Sequence, residues 1–162
     1  MAKTHEAKFE RVLDAPREAV WKAWTDPKLV ASWWGPAGVT IPECEIDARV
    51  GGKIYIVMLA GEAMGQFKGT RWPMKGVFTK VERLSRLTYE AQAWTEGQGP
   101  ETQIDQITDV SFDDQQGKTR VTIRVTITNA DTAPKMALEG MSYGFNQQLD
   151  KLAGFLAAHA GV

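Results

Sequence analysis

Nucleophilic catalysis needs a serine, threonine or cysteine within reach of a base, and histidine is the commonest base. This chain carries two histidines, His5 and His159. Both lie within a few residues of an end, where chains fray, so neither is expected to do catalytic work. Cys44 is the only cysteine, which rules out an internal disulfide and any thiolate-rich metal site. Two distant histidines supply no zinc-type spacing, and the acidic residues form no calcium-loop pattern. The expectation is no catalytic residue, no metal and no cofactor. Cys44 itself, beside Ile46 in an apolar-rich segment, reads as a small hydrophobe. Gly61, Gly65 and Gly69 recur every four residues, but in a polar stretch without the Gly-Lys-Ser/Thr of a phosphate loop. That stretch reads either as a flexible connection or as a lid with Met64 and Phe67 turned towards a ligand.

What remains is the chemistry of apolar surfaces interrupted by a few hydroxyls, and the secondary structure decides whether those surfaces converge. Residues 6–13 suit a strand, and Asp14-Ala15-Pro16-Arg17-Glu18 starts a helix with proline in its first turn and an early acid. Ala19, Val20, Ala23 and Trp24 share one face of it. Asp26-Pro27 repeats the start signal, and Leu29, Val30, Trp33 and Trp34 form a second short helix that stops at Gly35-Pro36. Adjacent helical residues diverge by about 100°, so one of Trp33 and Trp34 is expected to be internal and the other to reach a rim or the surface.

From 39 to 128 the pattern is β, with strands read at 39–46, 53–59, 71–81, 87–94, 107–112 and 119–128. Val121, Ile123, Val125 and Ile127 alternate with Thr122, Arg124, Thr126 and Thr128, which marks an antiparallel sheet covered on one side. The last two strands flank Asp113–Gly117, read as a five-residue hairpin loop. Residues 60–70 and 95–105 read as polar connections. After Pro134, Leu138, Met141, Phe145, Leu149, Leu152 and Leu156 form a helical stripe. Gly140 and Gly144 interrupt it at a cost of about 1 kcal/mol each relative to alanine, either to let the backbone approach the sheet or to leave space beneath the helix.

At 162 residues, with 43% hydrophobic and 24% charged side chains, the chain reads as one domain over 1–162 with a substantial core. Its 19 basic residues against 20 acidic ones make nucleic acid an unexpected partner. No stretch approaches the ~20 apolar residues needed to cross a bilayer, and the start has no signal-peptide character. A cytoplasmic location without membrane insertion is expected. The element order predicts an α+β fold, a curved antiparallel sheet of about six to seven strands gripping a long C-terminal helix.

Four segments carry a family resemblance: APREAVWKAWTDPKLVASWWGP, DARVGGKIYIVM, MKGVFTKVERLSRLTYE and GFNQQLDKLAGFL. On these the chain resembles the activator of heat-shock-protein-90 ATPase-like family, in the superfamily that includes START lipid-transfer domains and polyketide cyclases. The resemblance implies the helix-grip fold and, for many superfamily members, a ligand cavity. The chain departs from the family pattern in having Phe145, where tryptophan is usual, after Gly144, and in a long segment from Leu59 to Trp72. Nothing in it corresponds to the additional chaperone-binding domain of the eukaryotic co-chaperone.

A small hydrophobic or aromatic molecule is thus the expected partner, held by Trp34, Ile54, Ile56, Met58, Trp72, Met74, Tyr89, Thr108, Val110, Met141 and Phe145. The Thr108 and Tyr89 hydroxyls on an apolar face need partners, which a ligand could supply. The alternatives are a cyclase-like enzyme using Tyr89, Glu90 or Tyr143 for proton transfer, and a chaperone-associated interaction module. Glu90 alternates out of phase with Tyr89, which counts against the first. A homodimer and a chaperone stay open as macromolecular partners, and no motif specifies either.

Overall fold

The computed structural model describes residues 4–158, the side chains of 136 and 137 excepted. Strand β1 (His5–Leu13) leads into helices α1 (Arg17–Thr25) and α2 (Pro27–Trp33), and then β2 (Val39–Ile46) and β3 (Lys53–Ala60) follow. After them come β4 (Arg71–Glu82), β5 (Arg86–Ala93), β6 (Ile104–Gln115), β7 (Lys118–Ile127) and helix α3 (Lys135–Ala158). The seven strands form one antiparallel sheet in the order β1-β7-β6-β5-β4-β3-β2. The two helices therefore carry the chain from one edge strand to the other, and from β2 onwards it runs back as a meander.

The alternation in β7 buries Val121, Ile123, Val125 and Ile127. Their cross-strand partners Phe112, Val110 and Thr108, and beyond them Leu87 and Tyr89, continue the same dry face. Bulges in β2–β3 between Thr40 and Glu43 and in β4–β5 between Phe78 and Lys80 bend the sheet. Gly76 helps the curl, since a Cβ there would collide with the Glu90 carbonyl oxygen and with Ala91 on β5.

Helix α3 has 24 residues and is ~36 Å long. The C-terminal half of its apolar stripe, Leu149, Leu152 and Leu156, is buried, the first two fully, whereas Leu138, Met141 and Phe145 are only partly covered. Each fully buried leucine contributes about 1.5–3 kcal/mol. The ring of Phe145 stacks on Phe9 of β1 at 4.6 Å and 12°, and Arg11 of β1 donates to Asp150 at 2.8 Å.

Two local expectations are corrected. The β6–β7 hairpin turns on two residues only, Gln116 and Gly117, both with positive φ (56° and 89°), so Asp113–Gln115 continue the ladder instead of forming a loop. At its other end β6 starts at Ile104, inside a stretch read as connection, after a short 3₁₀ segment Pro100–Thr102. His5 is paired with Ile127 in the sheet. His159 lies outside the described residues. Among the described residues no helix is long and apolar enough to cross a membrane.

Candidate functional site

The site begins where α2 ends. Asp26 caps that helix by accepting from the Lys28 backbone N–H at 3.0 Å. Trp33, in the last helical position, is fully buried and donates from its indole to the Ala23 carbonyl at 2.9 Å. Trp34 is already extended (φ −66°, ψ 146°), so the 100° rule for neighbouring helical residues does not govern it. Both rings consequently turn inward, Trp33 0% and Trp34 8% exposed. They form a cluster with Trp24 at centroid distances of 4.7 and 6.2 Å.

Side chains from one stretch of α3 clasp the segment after Trp34. The Gly35 N–H donates to Gln148 Oε1 at 3.0 Å, and the Ala37 N–H donates to Gln147 Oε1 at 3.1 Å. Lys151 Nζ donates to the Trp34 and Gly35 carbonyls at 3.1 and 3.3 Å, capping the carbonyl end of α2. Burial lowers the pKa of this amine.

Between this clasp, the first half of α3 and the concave sheet lies a cavity of about 250 Å³. Of the residues singled out from the sequence, Trp34, Ile56, Met58, Trp72, Met74, Tyr89, Met141 and Phe145 line it. Their convergence follows from register: Ile56 is opposite Met74 and Met58 opposite Trp72, while Met74 is opposite Ala93 and Ala93 opposite Ile104. Ile54, Thr108 and Val110 do not line it. They share the inward face and are as buried as Ile56 and Tyr89, which do line it; alternation identifies a face without saying how far along the strand the packing is solid.

Pro36, Ala93, Ile104, Gln106, Ile127, Leu138, Gly144 and Gln148 also line the cavity and were not singled out as ligand-binding. Extending the alternation of β6 back from Thr108 would have reached Gln106 and Ile104. Gln148 continues the 141, 145 spacing on α3 but is polar. Gly144 has open space, with nothing within 4 Å of where a Cβ would stand, and the same holds at exposed Gly140. Close backbone packing is therefore not what the two glycines serve.

The interior hydroxyls find partners in the protein and do not need a ligand. Thr108 is hydrogen-bonded to Tyr89 and donates to Gln106 Oε1 at 3.3 Å, and Gln106 Nε2 reaches the Met74 sulfur at 3.3 Å. Burial pushes the Tyr89 hydroxyl up to about 12, against a smaller opposing effect of the Thr108 bond, so it stays neutral. It is the only ionisable group lining the cavity among the described residues. Glu90 is exposed, and Tyr143 is 73% exposed. Neither joins Tyr89 in a proton-transfer constellation.

Met64 and Phe67 do not line the cavity. They belong to a 3₁₀ segment, Glu62–Phe67, in which Phe67 is largely exposed and Met64 lies against Gly38. Cys44 is half-buried, its thiol pushed up to about 11 by burial with help from Asp26 and Glu45. No cluster of three or more potential metal-ligating side chains occurs among the described residues. A broader depression of about 450 Å³ lies over β4, β5 and β6, where Val77, Ala91 and Ile107 are interspersed with the charged Lys75, Glu90 and Asp105.

Solved structures share the architecture. Protein NE0264 from Nitrosomonas europaea is similar over 97% of both chains, at 22% identity and a TM-score of 0.78. A protein from Arthrobacter aurescens is similar over 96% of this chain and 87% of its own, at 25% identity and a TM-score of 0.78. The AHSA1 protein from Silicibacter pomeroyi is similar over 96% of this chain and 99% of its own, at 22% identity and a TM-score of 0.75. No curated protein matches the chain. The model of the family described as activator of Hsp90 ATPase homolog 1-like protein matches residues 14–157, and with its seven-stranded sheet curled against a C-terminal helix the chain belongs to that family, within the SRPBCC superfamily.

Proposed function

We propose that the protein binds a small hydrophobic or aromatic molecule in the cavity beneath the first half of α3. The observation that carries this reading is the roughly 250 Å³ of space walled by Trp34, Ile56, Met58, Met74, Met141 and Phe145. Such a cavity offers water few hydrogen-bond partners, so an apolar guest displaces little of value and buries its own surface at about 25 cal/mol per Å². An engineered apolar cavity of ~150 Å³ holds benzene, which scales to a guest of about ten non-hydrogen atoms here. Met58, Met74 and Met141 can adjust to differing shapes. The pocket walls are supplied by the sheet and by the part of α3 that is least covered, through which a guest can enter.

The test is native mass spectrometry and fluorescence titration with environment-sensitive apolar dyes. Saturable retention of one dye per chain, displaced by benzene derivatives, is the expected result. Absence of any retained mass over a series of dyes and small aromatics would overturn the reading.

A further inference from the structure

The cavity wall contains one polar group whose bonding is incomplete. Gln148 is 6% exposed, and its Oε1 accepts from the Gly35 N–H at 3.0 Å. That bond fixes the orientation of the amide, because a backbone N–H needs the oxygen and not the NH₂ in front of it. Nε2 is left buried with no acceptor in the protein, an arrangement that costs free energy until an acceptor is supplied. Gln148 lines the cavity, as do Gly144 and Phe145 on the same helix. Across from it Gln106 lends a second amide, whose Nε2 is held only by the Met74 sulfur at 3.3 Å, a weak acceptor that a better one can replace.

Charge narrows the guest further. No lysine, arginine, histidine, aspartate or glutamate lines the cavity among the described residues. Lys151, one turn beyond Gln148, has its amine committed to the Trp34 and Gly35 carbonyls. A carboxylate entering this space would lose its hydration without meeting a counter-charge. A pure hydrocarbon would leave the amide donor unpaired. We propose that the guest is a neutral, mainly apolar molecule bearing one hydrogen-bond acceptor of carbonyl type, such as an aromatic ketone, ester or amide, which accepts from Gln148 Nε2. The proposal rests on the binding reading above and specifies the chemistry of that same cavity.

Three probes of equal size separate the possibilities: acetophenone, α-methylstyrene, in which the carbonyl oxygen is replaced by a methylene, and benzoate. Their dissociation constants are measured by calorimetry or NMR titration on the full chain and on Gln148→Met, which conserves volume and removes the donor. In the unmodified protein acetophenone is expected to bind about fivefold or more tighter than α-methylstyrene, although the alkene is the more hydrophobic, and benzoate is expected to bind weakest. In Gln148→Met the order of the first two should invert. Equal or tighter binding of the alkene by the unmodified protein, the result if water alone serves Nε2, overturns the acceptor inference and leaves the binding reading standing. Benzoate binding tightest, or a ketone preference unchanged in Gln148→Met, also overturns it. The probe order in the unmodified protein decides the matter even if the variant fails to fold. No binding by any of the three overturns both readings together.

Discussion

Replacing Gly144 by alanine should stabilise the protein and weaken its hold on a guest, two effects that most substitutions near a binding site do not combine. Both follow from the empty volume around this residue. Gly144 lies nine positions past Lys135, the first residue of α3, where glycine costs the helix about 1 kcal/mol relative to alanine. Nothing stands within 4 Å of the position its Cβ would take, so no clash offsets the gain. For a chain of this size 1 kcal/mol corresponds to about 2–4 °C in Tm. Gly140 provides the control, since it too has nothing near its Cβ but is exposed and does not line the cavity. Gly140→Ala should match the stability gain and leave binding unchanged. Gly144→Ala should raise the dissociation constant of an apolar dye, and Gly144→Leu, whose side chain would enter the cavity, should abolish dye binding in a folded protein. Thermal unfolding by circular dichroism, with dye titration on the same samples, reads both effects. A destabilised Gly144→Ala would refute the reasoning, because it would mean that the backbone there is packed against the sheet.

Gly76→Ala should destabilise by about 1–3 kcal/mol or more in urea unfolding, since its Cβ would collide with the backbone of β5; a neutral effect would mean that β4 can straighten freely. Asp109 receives Arg86 at 2.8 and 3.0 Å and the Thr88 hydroxyl at 2.9 Å. Burial raises its pKa, but these bonds and the Arg86 charge outweigh it and hold the carboxyl below its ordinary value of 3.8. A depressed folded pKa stabilises above the unfolded value and is lost as pH falls through the folded one, so the stability gap between the unmodified protein and Asp109→Asn should shrink below pH 3.8; a gap independent of pH would contradict this. The Cys44 thiol, pushed up to about 11, should react slowly with thiolate-directed reagents at neutral pH and speed up only as the pH approaches that value, whereas rapid labelling at pH 7 would show it to be a thiolate.

Periodicity made the frame of this fold legible. The stripe from Leu138 to Leu156 and the alternation from Val121 to Ile127 each depend on neighbours close in sequence, and those patterns alone specify a helix lying across a one-sided sheet. Boundaries were less legible where polar residues occupy strand positions, as at Asp105 and Gln106, or where a helix stops one residue early, as at Trp34. The site was readable only to the level of the face. Ile54 and Ile56 share a strand side and are both buried, yet only Ile56 borders the cavity, a distinction set by where α3 and the end of α2 lie above them. Gln148 shows the limit most clearly. Its amide is oriented by the N–H of Gly35, 113 residues away, and no local pattern records that pairing.

The central claim, an apolar space under α3 that accepts a guest, is tested most directly by a crystal structure determined under xenon pressure. Xenon enters apolar cavities of this size without needing a polar partner. The account predicts a xenon peak among Met58, Met74, Tyr89 and Phe145. Side chains in contact throughout that region, with no xenon bound, would contradict it.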